Sequence, residues 1–462
     1  MRISTAASTL CLALALAFAS AAARAQSLEE TLARVYQQNP VLNAQRAQLR
    51  ATNEQYPQAL GAWLPTVELS GSYSRTANRQ EAALDGTAVS YTQSEAVTLS
   101  QNLYQGGRNF AGLRKAEQDI FSARERLRET EQTVLLDAIT AYMDVLRDRE
   151  IVEIRRNNVE VLRRHLAATQ VQFDLRRRTQ ADLAQARSRL FAAEAETAEA
   201  EAKLTAGEER FERLVGAPPA ELSAPPAPEV PAPPESKPHE AVAENPTVRR
   251  QIFDLQSAET DVEIAEGELL PRLALEGSFT RSRAGTRNDT VSSVDRSAVA
   301  TLTLTVPIYQ KGQVFSRIRA SKYTAGQRRL DLDQAYRSAV EQLYASYDSH
   351  RAAEVKIQAL AAQVEAAQVA LASVQAELEV GRRTVLDLLD QEQEFLNARV
   401  NLISAERDRI VFAYTVARDL GRLTAGDLAL DVPLYDPQAA FERQKLKLIG
   451  ADIEPPPVLP EN

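Results

Sequence analysis

The segment LPTVELSGSYSR, residues Leu64–Arg75, occurs again later in the chain as LPRLALEGSFTR, residues Leu270–Arg281. Six of the twelve positions are identical, and exchanges of Val for Leu, Tyr for Phe and Ser for Thr barely alter side-chain shape. Other segments recur at the same interval of 205 or 206 residues: Asn39-Pro40 with Asn245-Pro246, Tyr104–Gly107 with Tyr309–Gly312, and Arg178–Leu183 with Arg383–Leu388. An interval that stays constant over so much of the chain indicates a tandem duplication, and each half is expected to fold as one repeat.

Both copies of the segment alternate apolar and polar residues, which is typical of a β-strand with one apolar face. The apolar series are Val67, Leu69, Gly71 and Tyr73 in the first copy, and Leu273, Leu275, Gly277 and Phe279 in the second. A second alternating segment follows each copy. We therefore predict four strands, at about 64–75, 91–104, 269–281 and 296–308, with the polar stretches 76–90 and 282–295 as loops.

The remainder of each half has the composition of long helices. From Gly107 to about Arg176 there is no proline, and Ala, Glu, Arg, Gln and Leu dominate. In the second half a coiled-coil seam with 4–3 spacing is formed by Leu360, Val364, Ala367, Leu371, Val374 and Leu378. A helix of about 70 residues spans roughly 100 Å. The expected fold class is therefore mainly α with a small β part, in two strand–strand–long helix halves.

These patterns divide the chain into five parts. They are a signal peptide (1–25), a first repeat (26–215), a Pro-rich linker (216–240), a second repeat (241–426) and an irregular C-terminal tail (427–462). The prolines of the linker favour an extended conformation. The leader has Arg2, an apolar run from Leu10 and a small-residue site that predicts cleavage between Ala25 and Gln26. A transmembrane anchor is the alternative for the leader, and its short apolar run argues against it.

The composition excludes several classes of function. The only cysteine, Cys11, lies in the predicted leader, so the mature chain has no disulfide, thiolate metal site or cysteine nucleophile. Removal of the leader's two arginines changes the formal net charge from −9 to −11, which argues against nucleic acid as a partner. His165, His239 and His350 each lack a second metal ligand nearby in sequence, and no phosphate loop or nucleophile elbow is present. We therefore expect no metal, no cofactor and no enzymatic activity.

Strands with one apolar and one polar face are typical of outer-membrane β-barrels. An ordinary antiparallel sheet resting on helices shows the same alternation, so on this evidence both architectures stay open. Four strands are too few to close a barrel, for which about eight is the minimum, whereas three chains would supply twelve and leave no free edge. The mature sequence shows no apolar run long enough for a membrane-spanning helix, so we expect the strands to meet the bilayer.

The segments LPTVELSGSYSR, LPRLALEGSFTR, VPIYQKGQV and VGRRTVLDLLDQEQEFLNAR together resemble the signature segments of the TolC family of outer-membrane export channels. The resemblance covers about Leu28–Gly421, in the duplicated order of the family. It implies a homotrimer with a twelve-stranded barrel in the outer membrane of a Gram-negative bacterium, standing on a long periplasmic α-helical barrel. It also implies a periplasmic adaptor (membrane fusion) protein and an inner-membrane ABC or RND pump as partners.

The function that the resemblance implies is a passive export duct. The cargo could be an unfolded polypeptide in type I secretion or small toxic compounds in drug or metal efflux. The start of the mature chain has no lipidated cysteine, which favours the secretion branch. A periplasmic coiled-coil scaffold or adaptor without a pore is the alternative, and the duplicated strand pairs argue against it.

In the TolC family, acidic rings and polar links between helices close the tube near its periplasmic tip, and Val380–Asp390 matches that region. The resemblance implies a gate or selectivity role for Asp387, Asp390 and Asp182, and gate-linking contacts for Arg383, Thr384 and Thr179. Crowding of carboxylates in such a ring is expected to raise some of their pKa values. The alternative for the acidic pair is a solvated helix face.

Two positions depart from the pattern of the family. Arg176 stands where the second repeat has Gly381, and Leu378 stands where some family members have an aromatic residue. On the strands, three aromatic residues are expected either in the aromatic girdles of a barrel or at contacts between protomers: Tyr73, Tyr91 and Phe279.

Overall fold

The computed structural model describes residues 26–78, 88–234, 238–286 and 293–453. The predicted signal peptide, including the cleavage-site residue Ala25, lies outside these ranges, whereas Gln26 is described. The backbone N–H of Gln26 donates to the carbonyl of Glu221 at 2.7 Å, and its own carbonyl accepts from the Tyr142 hydroxyl at 2.7 Å. The chain is therefore anchored in the fold from Gln26 onward.

The described residues form ten helices and four strands. The helices are α1 (Leu28–Gln38), α2 (Pro40–Asn53), α3 (Gln55–Gly61), α4 (Arg108–Asp174), α5 (Gln180–Val215), α6 (Pro238–Ala241), α7 (Pro246–Gly267), α8 (Gln313–Glu379), α9 (Val385–Asp419) and α10 (Pro437–Gln444). The strands are β1 (Thr66–Asn78), β2 (Ala88–Gln105), β3 (Arg272–Thr286) and β4 (Ser293–Thr305). Each half thus has a strand pair followed by one very long and one shorter helix.

The strands form a single antiparallel sheet in the order β1-β2-β3-β4. The ladders extend into the stretches that were predicted as loops, to Asn78 opposite Ala88 and to Ala284 opposite Ser293, because backbone pairing does not require apolar side chains. β4 ends at Thr305 rather than 308, since Pro307 has no N–H to donate to a ladder. Among the described residues of one chain, β1 and β4 each have one neighbouring strand, so each leaves one edge without a described partner strand.

The helices build two long hairpins. α4 and α8 contain 67 residues each, which corresponds to about 100 Å, and neither contains a proline. After a short turn, α5 packs back along α4 and α9 packs back along α8. The seam residues of α8 from Leu360 to Leu378 are half-buried, while most residues between them are exposed. The predicted seam thus faces α9.

The main hydrophobic core lies where the short helices meet α4, α5 and α9, and Leu135, Tyr142 and Phe211 are fully buried there. Equivalent asparagines tie the two ends of each repeat together. The Asn39 amide donates to the carbonyl of Leu214 at 3.0 Å, and the Asn245 amide donates to the carbonyl of Asp419 at 3.0 Å. Each asparagine also caps the helix that follows it, which gives the recurring Asn-Pro pair a structural reason.

The described part of the tail is irregular over most of its length, but it also contains one helix and packs on the main core, which the sequence did not predict. Leu428, Leu430 and Val432 pack on the main core, and α10 follows with Asp436 as its N-cap. The backbone N–H of Tyr435 donates to the Tyr36 hydroxyl at 3.0 Å. The tail is held by individual apolar side chains and hydrogen bonds, which leave no helical or strand periodicity in the sequence.

One helix of the described residues, α8, is long and apolar enough to cross a membrane by length and composition alone. This finding corrects the expectation that the mature chain has no such run. α8 is about three times as long as the ~30 Å hydrocarbon core of a bilayer. It also packs along α9. Its length and this packing are those of a helix in a long helical hairpin.

Candidate gate site at the interhelical turns

The two hairpins end in turns that have the same backbone conformation. We call them turn 1 (Leu175–Thr179) and turn 2 (Val380–Thr384). Arg176 in turn 1 has a φ of 58°, and Gly381 in turn 2 has a φ of 76°, so both lie in the left-handed region. Glycine adopts this region freely, whereas a residue with a Cβ is strained there. The exchange of glycine for Arg176 therefore changes the local strain but not the shape of the turn.

Backbone hydrogen bonds close both turns in the same way. The N–H of Arg177 donates to the carbonyl of Gln172 at 2.8 Å, and the N–H of Arg382 donates to the carbonyl of Glu377 at 2.9 Å. Each turn has a second bond that spans fewer residues, from the N–H of Arg176 to the carbonyl of Phe173 and from the N–H of Gly381 to the carbonyl of Leu378. The two bonds together form a Schellman motif, which satisfies the last carbonyls of a helix. Each long helix thus ends at a defined residue.

A threonine and an aspartate open the helix that follows each turn. The Asp182 N–H donates to Thr179 Oγ1 at 3.2 Å, and the Thr179 backbone N–H donates to the Asp182 carboxylate at 2.9 Å. Thr384 and Asp387 make the same two bonds at 3.2 and 2.9 Å. These capping boxes satisfy N–H groups that have no partner inside the helix. Four of the predicted gate residues are thus placed at helix starts, where their local role is structural.

The capping boxes also set the protonation of these carboxyl groups. Hydrogen bonds from the backbone and the hydroxyl of Thr384 lower the pKa of Asp387 below its ordinary value. The corresponding bonds from Thr179 lower the pKa of Asp182. The raised pKa values expected from crowding concern a ring of carboxylates from three chains and stay a prediction, whereas within one protomer the capping boxes lower the pKa values of Asp387 and Asp182. The physical reason is that hydrogen bonds to the charged form favour ionisation.

Arg383 links turn 2 to the end of α8 by a hydrogen bond. Its Nε donates to the Glu377 carboxylate at 2.7 Å, and in turn 1 the Nε of Arg178 donates to the side chain of Gln172 at 3.0 Å. Within one protomer, the structure therefore pairs Arg383 with Glu377 in the last turn of α8. The contact gives each turn a further link across its base.

Two polar contacts join the first repeat to the second beside the turns. Arg189 on α5 donates to the Asp390 carboxylate on α9 at 2.5 Å. The Nε2 of His165 on α4 lies 3.1 Å from the Glu392 carboxylate on α9, and this hydrogen bond raises the pKa of the His165 imidazole. Neither pair has a local signal in the sequence, because the partners are about 200 residues apart and only the fold brings them together.

An apolar cluster lies next to these contacts. It comprises Val159 and Leu162 from α4, Leu190 and Ala193 from α5, and Leu389 from α9. This cluster is much smaller than the main core, so the hairpins hold together near the turns mostly through polar contacts. Regions with few buried apolar contacts separate at low free-energy cost. The end of the hairpins is therefore the part of the protomer best suited to move.

The site offers charge and hydrogen bonds to a passing solute. Thr384, Arg383 and Asp390 are exposed, and Asp387 is half-buried by its own capping box. Over the four described ranges of the chain, no group of three or more His, Cys, Asp or Glu side chains is arranged to hold a metal ion.

The profile of the outer membrane efflux protein family matches residues 31–217 and 238–422. The chain belongs to this family. It is 30% identical over 431 residues to the outer membrane efflux protein BepC of Brucella suis biovar 1 (strain 1330), with 92% of each chain covered. It is 26% identical over 413 residues to the outer membrane protein TolC of Vibrio cholerae serotype O1, covering 86% of this chain and 92% of that one. Its structure is similar to that of the Campylobacter jejuni CmeC outer membrane channel, with a TM-score of 0.77, 14% identity, and coverage of 91% and 90%.

Family membership confirms the resemblance to TolC channels and the expected mainly α fold with a small antiparallel sheet. The protein is an outer-membrane export duct with a large periplasmic portion. The family is one of channels. The two matched ranges lie on either side of the Pro-rich linker, and each contains one strand pair and one long hairpin.

Proposed function

We propose that three copies of this chain assemble into one duct, with twelve strands in the membrane and a tube of helices below. The free edges of β1 and β4 support this assembly, because four strands cannot close a barrel and an unpaired edge is a ready site for another strand. One face of the sheet carries Leu69, 81% exposed, and Leu302, 61% exposed, as a lipid-facing surface requires. The opposite face is rich in Ser and Thr and would line the lumen.

We place the closed end of the duct at turn 2, with Asp387 and Asp390 as the acidic ring and Asp182 at the equivalent position of turn 1. Three copies would bring six carboxylates of turn 2 to one constriction, and such rings attract cations. Thr179, Thr384 and Arg383 would hold the turns in shape. The observation that carries this assignment is the ion pair between Asp390 and Arg189. Asp390 would then supply charge at the aperture and also hold the two repeats together.

We further propose that a periplasmic adaptor protein and an inner-membrane ABC or RND pump supply energy and choose the cargo. The favoured cargo is an unfolded polypeptide in type I secretion, since the chain is also similar, at 26% identity over 328 residues, to the alkaline protease secretion protein AprF of Pseudomonas aeruginosa. Efflux of small compounds through the same duct is the second candidate. The domain limits inferred from the sequence, with repeats at 26–215 and 241–426, define the half-channel that would occur six times around the tube.

Single-channel conductance in a planar bilayer tests the gate. In Asp387→Asn/Asp390→Asn we expect a larger conductance and a loss of cation selectivity, because the ring charge is gone while the amide oxygen introduced at position 387 still accepts the capping N–H. In Arg189→Gln we expect a larger open fraction, by about fivefold for an exposed pair worth ~1 kcal/mol, with cation selectivity retained. Arg189→Gln removes the contact and keeps the ring charge, whereas the double variant removes both, so a loss of cation selectivity that occurs only in the double variant is due to the ring charge.

Asp333→Asn is the matched control, because Asp333 pairs with Arg337 on α8, near the end opposite turn 2. It should leave conductance and selectivity unchanged. A double variant that keeps the cation selectivity of the wild type would show that the ring lies elsewhere. A trimer without any conductance would contradict the duct itself.

A further inference from the structure

The apolar face of the sheet ends in a belt of arginines. On β4, alternate residues from Ala298 onward share one face, and Arg296 is the next residue on that face toward the β3–β4 connection. On β3, Phe279 is followed on the same face by Arg281 and Arg283. Alternate residues of a strand lie on one side of a sheet, so these arginines continue the lipid-facing series.

The strand register aligns these residues into three rows. In the first row Arg281 lies opposite Arg296 on β4 and opposite Glu95 on β2. In the second, Gln93 lies between Tyr73 and Arg283, and in the third, Tyr91 lies between Arg75 and Gly285. We define the arginine belt as Arg75, Arg281, Arg283 and Arg296, with the adjacent Tyr73 and Tyr91. Among the described residues of the three rows, Glu95 is the one acidic residue.

The height of the belt follows from the length of the apolar series. On β4 and just beyond it, the series runs from Ala298 to Ile308, which is 96% exposed. These ten steps of extended chain, seven within β4 and three beyond its end at Thr305, span about 33 Å. At a tilt of about 40° this gives a band ~25 Å tall, the thickness that an outer-membrane barrel presents to lipid. The belt therefore lies at the headgroup level, at the end of the sheet away from the helices, which faces the outer leaflet.

Among the described residues, the charges of the belt are not balanced by acidic partners. Arg281 and Arg296 lie directly opposite each other, a like-charge arrangement that destabilises a sheet. The closest approach of Arg281 to Glu95 is 3.9 Å, and the buried Nε of Arg281 has no hydrogen-bond partner among the described residues. Tyr91 lies across Gly285, where an added Cβ would come within 2.3 Å of its hydroxyl, so this aromatic ring stands beside the arginines.

We propose that the arginine belt binds the phosphate groups of the anionic glycolipid that forms the outer leaflet of the outer membrane. The guanidinium fork matches phosphate oxygens in two parallel hydrogen bonds, and the opposed arginines 281 and 296 can share one phosphate. Tyr73 and Tyr91 contact the sugar and acyl boundary, where amphipathic rings lie in membranes. This inference rests on the proposed barrel, because only a closed barrel presents this face to lipid.

The test uses full-length trimers in phosphatidylcholine vesicles, doped with bis-phosphorylated lipid A, dephosphorylated lipid A with the same acyl chains, or phosphatidylglycerol. The readouts are the lipid retained by the extracted trimer and the temperature at which the trimer dissociates. We expect about tenfold more retention of phosphorylated lipid A than of the dephosphorylated form, and a higher dissociation temperature. Both effects should disappear in Arg281→Gln/Arg283→Gln/Arg296→Gln.

The control is Arg272→Gln/Arg317→Gln/Arg319→Gln, which removes the same charge from the opposite end of the sheet and from α8, and it should retain lipid like the wild type. Equal retention of dephosphorylated lipid A or of phosphatidylglycerol would overturn the proposal, as would full retention by the belt variant. Trimer formation and conductance in phosphatidylcholine alone are measured first. Their failure contradicts the barrel, whereas a conducting trimer without the lipid A effect contradicts the belt alone.

Discussion

The last helices of the two repeats end at equivalent glycines in different surroundings. Gly216 has a φ of 81° and Gly421 has a φ of 77°. A Cβ added at Gly216 would meet no atom within 4 Å, whereas a Cβ at Gly421 would lie 2.4 Å from the carbonyl oxygen of Glu244. Duplication has kept the backbone conformation, but the second repeat packs its end against the segment that precedes α7.

A similar contrast occurs in the turn between the second strand and the long helix of each repeat, but here the second repeat has a lysine in place of the glycine. Gly106 and Lys311 have φ values of 62° and 55°. A Cβ at Gly106 would come within 2.2 Å of the carbonyl oxygen of Gly267, while the second repeat accommodates a lysine at this position. Tertiary neighbours, and not the left-handed conformation alone, therefore decide where the chain needs glycine.

The largest expected effect comes from placing alanine at the two equivalent glycines. Gly216→Ala should cost about 1 kcal/mol of unfolding free energy, from backbone strain alone. Gly421→Ala should cost ~3 kcal/mol or more, because the backbone of Glu244 must also move. Thermal and urea unfolding of the detergent-extracted protein measures both values. Equal losses in the two variants would show that the close approach at Gly421 relaxes freely.

A smaller effect is expected at the contact between α4 and α9. His165 and Glu392 pair there, whereas the equivalent positions in the other repeat are Ala370 and Arg187, so the duplication offers a natural comparison without the pair. Besides Glu392 on α9, the charged groups near His165 are Arg164 on α4, which lowers its pKa, and the Arg189–Asp390 pair of α5 and α9. The contact is thus a titratable link between the repeats.

The sign of its pH dependence follows from the raised pKa of His165. Its stabilisation is fully present below the ordinary value of 6.5 and is lost as the pH rises through the folded-state pKa, which lies above that value. The partly exposed pair is worth less than ~1 kcal/mol, so the open fraction should rise up to about fivefold across this window. Conductance measured as a function of pH in wild type and His165→Gln checks this prediction. The rise in open fraction should be absent in His165→Gln and should be retained in His350→Gln. A step that survives in His165→Gln would assign the titration to another group.

Much of the fold could be predicted because its signals are periodic or repeated. Alternation along 64–75 and 269–281 marks strands, and the constant interval marks the duplication. The ends of the strands could not be predicted, since ladder pairing continues through Ser and Thr regardless of side-chain polarity. The position of the tail could not be predicted either, because the tail packs through isolated side chains such as Leu430.

The candidate site was predicted in part. The Thr-x-x-Asp spacing at Thr384 and Asp387 was itself the sequence signal of a capping box, and it would have predicted the lowered pKa of Asp387. The contacts of Asp390 and Glu392 with the first repeat had no such signal. Their partners lie on other helices. Which side chains meet depends on the rotation of each helix about its own axis, and the sequence pattern specifies this rotation only coarsely.

The smallest effect compares the two turns, where Arg176 and Gly381 occupy equivalent left-handed positions. Arg176→Gly should remove a backbone strain of about 1–2 kcal/mol. The greater freedom of glycine in the unfolded chain should cost roughly 0.5–1 kcal/mol, so the turn should become more stable by about 0.5 kcal/mol. Gly381→Arg should reverse this in turn 2. Hydrogen exchange of the amides around each turn measures these local values better than global unfolding does. Arg177→Gly is the control, because Arg177 is not among the left-handed residues, and it should lose protection. If Arg176→Gly loses protection to the same extent, the two turns do not share one backbone conformation in solution, and the equivalence of the two turns would have to be abandoned.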